Sequence, residues 1–142
     1  MPSFTAQVPN LQAIGPVVEA RIAISSFLET SMKQKGQPIS APVPVQAMID
    51  TGASSTVIQD SIPHTLGLQP VGVSFINTPS STNVRCYEYL IRLVFPNNVV
   101  VEGTVIAAPL QGQQIQCLIG RDILTHGVLI YIGYTHTFSL SF

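Results

Sequence analysis

Apolar and polar residues alternate with a period of two along much of this chain, the pattern of strands that bury one face rather than of amphipathic helices. Val18, Ala20, Ile22 and Ile24 share one side of a first strand, with Glu19 and Arg21 opposite. Lys33 to Pro38 then reads as a polar turn region, and Val43 to Ile49 as a second strand with Val45, Ala47 and Ile49 on one side. Tyr87, Tyr89, Ile91, Leu93 and Phe95 alternate along another strand. Turn chemistry at Pro96-Asn97-Asn98 and the stretches Val99 to Val101 and Thr104 to Ala107 follow, so this region predicts a hairpin.

Val128 to Ile132 returns to strand, and the last residues alternate again, Phe138, Leu140 and Phe142 against Thr137, Ser139 and Ser141. A helix is expected only at Arg121 to His126, about two turns of better helix formers stopped by Gly127. The expectation is an all-β fold, a single domain over residues 1–142 with an N-terminal extension over about residues 1–15.

Composition adds a partner to this picture. Charged residues are 9% of the 142, against roughly a quarter in ordinary domains, and 46% are hydrophobic, so little charge is left to cover the surface. No apolar run approaches the roughly 18 residues of a spanning helix, which favours burial of the surplus against another subunit and not in a membrane. A net charge of −1, with six thinly spread basic residues, offers no footprint for nucleic acid or an anionic membrane surface. Met1 to Gly15 has no basic region followed by an apolar stretch, so a cytoplasmic protein is expected. Cys86 and Cys117 lie in no metal-ligand spacing and are expected as buried thiols; His64, His126 and His136 share no such spacing either, so no metal is expected.

Candidate chemistry concentrates where the strand Val43 to Ile49 runs into Asp50-Thr51-Gly52-Ala53-Ser54. A carboxylate at the end of an apolar strand needs compensation, because an isolated buried charge is costly unless paired or hydrogen-bonded. Amides of the Gly52 to Ser54 turn are candidate donors. A second carboxylate that shares a proton with the first would keep one acid and one base beside a water, the arrangement that hydrolyses amides. A turn aspartate that merely caps local amides is the plainer alternative.

Ile49-Asp50-Thr51-Gly52-Ala53 resembles the active-site signature of aspartic peptidases. Leu118-Ile119-Gly120-Arg121-Asp122-Ile123-Leu124 resembles the later signature of the retroviral-type members, and the resemblance covers roughly residues 43–142. It implies a closed β-barrel-like retropepsin fold with a flap hairpin and one short C-terminal helix, in which Ile119-Gly120 packs near the Asp50 loop and the helix braces it. It further implies Asp50 as the catalytic carboxylate, supported by Thr51, Gly52, Ala53, Gly120 and Arg121, acting on a peptide or protein with no cofactor. Only one Asp-Thr-Gly is present, so a two-fold homodimer is implied, with Asp50 from each subunit and Thr51 bonding across the axis.

The flap implied by the resemblance falls at about Val71 to Tyr89, with a polar tip from Asn77 to Asn83 that Pro79 would stiffen; retroviral flaps are glycine-rich there. Ser54 stands where retroviral members often place an acid that pairs with the arginine, so Arg121 needs another partner, Asp122 or a carbonyl. The strand Phe138 to Phe142 is the expected dimer interface. A dimeric peptide-binding or scaffold module of the same fold, without proteolysis, is the alternative function.

Overall fold

The computed structural model describes residues 1–78, 80–110 and 112–142. The strands are β1 (Ser3–Gln7), β2 (Val17–Ile24), β3 (Val43–Ile49), β4 (Val57–Gln59), β5 (Gly72–Thr78), β6 (Ser81–Phe95), β7 (Val99–Ala108), β8 (Cys117–Ile119), β9 (Val128–Ile132) and β10 (Thr137–Ser141). The α-helices are α1 (Leu11–Ile14), α2 (Ser26–Gln34), α3 (Ser61–Thr65) and α4 (Arg121–Leu124). The strand-dominated fold expected from the alternation is therefore the fold observed.

Seven strands form one sheet in the order β2-β3-β8-β4-β7-β6-β5, and a further pairing of β2 with β6 closes the first six into a barrel-like circuit. The closing seam runs from Arg21 opposite Val94 to Ile24 opposite Ile91. Strand β5 stays outside the circuit, paired to β6 as the flap hairpin. The expected flap interval is thus β5 and the first half of β6; Pro79, expected to stiffen its tip, lies outside the described residues. At the far end of β6, Asn97 and Asn98 take left-handed backbone angles (φ 62° and 53°), which asparagine tolerates, and the chain reverses into β7.

A second sheet, β1-β10-β9, is antiparallel throughout. Its inner face joins the barrel core through aromatic contacts: Phe4 stacks on Phe95 at 5.4 Å and meets Phe138 edge-on at 6.1 Å, while Phe95 also stacks on Phe142 at 5.9 Å. Phe138 and Leu140, which alternate as expected, are fully buried.

Two expectations are corrected. Residues 1–15 are not an extension: β1 pairs along its length with β10, and Phe4, Val8 and Leu11 are buried in the core. Their three apolar anchors are spaced by four and three residues and so do not carry the period of two that marks the other strands. Four short helices are present among the described residues, not one, and α2 includes Lys33 and Gln34, which read as turn. Helix α2 starts because the Ser25 hydroxyl accepts the Leu28 N–H at 3.2 Å, and it lies on the barrel through Leu28 and Met32. Glu29 fixes its position with ion pairs to Lys33 (3.2 Å) and to Arg92 of β6 (2.9 Å).

Candidate active site

Strand β3 delivers Asp50 to its place by parallel pairing with β8, Ile49 opposite Ile119, and the Asp50 N–H prolongs the ladder to the Ile119 carbonyl at 2.9 Å. The chain then turns at once. Gly52 N–H donates to Asp50 Oδ1 at 3.0 Å, and Ala53 N–H donates to the Asp50 carbonyl at 3.2 Å. A Cβ on Gly52 would stand 3.1 Å from that carboxylate oxygen, so glycine lets the loop wrap the acid closely. Asp50 and Ala53 are half-buried, while Thr51 and Gly52 are exposed.

A second loop, from Ile119 to Ile123, holds the first. Arg121 N–H donates to the Ala53 carbonyl (2.9 Å) and Asp122 N–H to the Ser54 carbonyl (3.2 Å). The Arg121 guanidinium donates to the Thr51 carbonyl at 2.7 Å, which supplies the partner it lacks at Ser54. Gly120 lies flat on the backbone of Ser55: an added Cβ would fall 2.5 Å from the Ser55 carbonyl carbon. The structure thus brings Asp50, Thr51, Gly52, Ala53, Gly120 and Arg121 into one assembly of two interlocked loops.

Sequence reasoning missed the residue at its centre. Thr56 is fully buried; its hydroxyl accepts the Gly120 N–H (2.9 Å) and donates to Asp122 Oδ1 (2.7 Å), while its own N–H donates to Asp122 Oδ2 (2.9 Å). Asp122 Oδ1 also accepts the Ile123 N–H at 2.8 Å, at the start of α4. A threonine two residues past Ser54, following Ser55, carries no pattern of its own; its only signal is its position in the loop after Asp-Thr-Gly.

Beneath the flap, a cleft of about 470 Å³ is bounded by Gly52 and Ala53 on the loop side, by Ser74, Phe75 and Ile76 of β5, and by Ile106. An adjoining cleft of about 550 Å³ shares Val57, Ile76 and Asn77 with it and is lined further by Leu110 and Leu118. The inner face of the flap is anchored where Ser74 donates to Glu88 across the hairpin. Together the loop and flap frame an elongated, partly apolar groove.

Among the described residues, no three His, Cys, Asp or Glu side chains are grouped to hold a metal ion, and no helix is long and apolar enough to cross a membrane. Burial, then the charge of Asp122, push the Cys117 thiol up to about 12. Burial, then Asp60, raise Cys86 as well. Both are inert core thiols, as expected.

The family model for aspartyl proteases matches residues 35–123, which include both loops of the site. The chain belongs to the aspartyl protease family. Its fold is retropepsin-like. It superposes on a retropepsin-like aspartic protease from Rickettsia conorii with a TM-score of 0.55 at 12% identity, over 97% of this chain and 89% of the other. It superposes on the EIAV protease complexed with the inhibitor HBY-793 with a TM-score of 0.52 at 17% identity, over 84% of this chain and 92% of the other. A foamy viral protease-reverse transcriptase is matched over 82% of this chain at 14% identity and a TM-score of 0.52. The chain spans 12% and 16% of the two foamy viral protease-reverse transcriptase chains it matches. No curated protein matches its sequence significantly.

Proposed function

We propose that the chain is a single catalytic domain that supplies half of an endopeptidase site, with Asp50 as its carboxylate and Asp50 of a second copy completing the pair. The observation that carries this is the placement of Asp50: it ends β3 in the loop that floors the cleft, and its Oδ1 accepts the Gly52 amide. Only one Asp-Thr-Gly is present, and two like carboxylates are needed to hold acid and base together, so the pair is built by symmetry. One carboxylate takes a proton from water as it attacks the peptide carbonyl; the protonated one polarises that carbonyl and then protonates the departing nitrogen. Thr51 steadies the pair across the axis, Gly52 and Ala53 shape the floor, and Gly120 and Arg121 hold the loop.

This chemistry calls on no metal or organic cofactor. The substrate is an extended peptide segment of a protein, with apolar side chains lodged against Val57, Ile76 and Ile106. Two free, buried thiols support a reducing compartment such as the cytoplasm.

The test is cleavage of a peptide library or of denatured protein by wild type and by Asp50→Asn. The expected result is a loss of turnover of at least about 10²–10⁴-fold in the variant, with its oligomeric state unchanged. Turnover that survives the substitution would sink the reading. Binding of peptides by wild type without any cleavage would favour a scaffold of the same fold.

A further inference from the structure

A further cavity, of about 280 Å³, lies at the foot of the flap hairpin between α3 and β6, and none of the residues around Asp50 line it. Arg85, Tyr87 and Tyr89 alternate along one face of β6, and Ala107 of β7 stands opposite Tyr87. Asp60, just before α3, and His64, in its last turn, form the other wall.

The charges on the two walls are not spent on each other. The Arg85 guanidinium lies over the Tyr87 ring at 5.3 Å and makes no ion pair among the described residues. Asp60 accepts Gln59 Nε2 at 3.0 Å. Tyr89 is only 5% exposed, yet its hydroxyl has no hydrogen-bond partner among the described residues. A hydroxyl on so buried a ring ordinarily has one. A free planar cation, an unmatched hydroxyl and an imidazole beside the apolar surface of Ala107 and Pro109 suit a carboxylate carried on a small apolar body. The volume falls just below the roughly 300–1,000 Å³ of drug-sized sites, room for a single residue.

We propose that this cavity binds the C-terminal residue of a peptide that ends in an apolar side chain, with its carboxylate on Arg85, and so senses the product of cleavage. The identity of that ligand rests on the reading of the chain as an endopeptidase. Hydrolysis adds the oxygen of water to the peptide carbonyl carbon and breaks the C–N bond. One fragment leaves with a new carboxylate and the other with the amine. The residue that gains the carboxylate is one that an apolar groove selected, so the product has the chemistry this second cavity takes. Val84 and Pro109 line both this cavity and the cleft of about 550 Å³ beside the Asp50 loop, so an occupant stands one wall away from the substrate. Its binding therefore slows cleavage without competing for the groove.

Titration of the full chain with N-acetyl-phenylalanine, followed by NMR, tests this, with N-acetyl-phenylalaninamide as the ligand that lacks the charge. The acid is expected to bind in the millimolar range or tighter, with shifts centred on α3 and residues 84–89, and the amide at least about tenfold more weakly. Arg85→Met, at an exposed position, should erase the preference for the acid, and Arg85→Lys should keep part of it. Asp50→Asn should bind the acid as wild type does. In wild type the acid should lower kcat and leave KM unchanged. Equal binding of acid and amide, a preference that survives Arg85→Met, binding lost in Asp50→Asn, or purely competitive inhibition would each overturn the site. Binding with the expected selectivity by a chain that cleaves no peptide would uphold the cavity and remove the endopeptidase reading alone.

Discussion

Asp122 holds Thr56 with both carboxylate oxygens, one on the Thr56 amide at 2.9 Å and one on its hydroxyl at 2.7 Å. Through that hydroxyl the grip extends to the Gly120 amide. Two loops more than 60 residues apart in sequence are thereby fixed by one buried threonine.

Thr56→Val keeps the shape and removes the hydroxyl, leaving the Gly120 N–H without its acceptor and Asp122 with one bond fewer. A loss of about 1–3 kcal/mol is expected in urea unfolding, with kcat reduced and KM changed less. Thr56→Ser should restore most of both. A valine variant as stable as wild type would mean that the hydroxyl network contributes nothing net.

Gly120→Ala tests the contact between the loops. The added methyl meets the Ser55 backbone, which cannot swing aside as a side chain would. The expected outcome is a destabilisation of about 1–3 kcal/mol and a displaced Asp50 loop, read as lost turnover in protein that is still folded.

Arg121→Met should separate stability from catalysis. The guanidinium is exposed and holds the Thr51 carbonyl, so its removal frees the floor of the cleft without opening the core. A fall in kcat with a Tm within a few degrees of wild type is expected. Arg121→Lys should restore part of the activity, because an ammonium reaches one carbonyl but lacks the planar fork.

How much of this was legible follows from the kind of signal each part leaves. Strands β2, β3 and β10 bury one face, and a period of two survives in any sequence that does so; the limits of β3 coincide with the expected Val43 to Ile49. The two loops of the site were legible because tight backbone approach restricts the residues at Gly52 and Gly120. Helix α2 was not, since its cap is one serine and its packing face only two partly buried side chains. Nor were Thr56 and the role of β1, because a hydrogen-bond partner 66 residues away and a pairing of β1 with β10 are tertiary facts.

Cys117 gives a prediction in pH. Its folded value of about 12 lies above the ordinary 9.0, so the unfolded chain loses its thiol proton first. The stability held by the neutral thiol is complete below 9.0 and is lost as pH rises from there toward about 12. Iodoacetamide at pH 8 should label Cys117 only as fast as the protein unfolds, and Cys117→Ala should flatten the alkaline fall in stability. Labelling at the rate of an exposed thiol in native protein would contradict this.

Strand β6 works as a lever with its fulcrum in the wall. Its first residues are the flap partner of β5, its later ones pair with β7, and Ile91 to Val94 are also the seam that shuts the barrel against β2. The flap is therefore the free end of a strand whose other end is clamped on both sides. Hairpin and barrel closure are thus written into one unbroken strand, from Ser81 to Phe95.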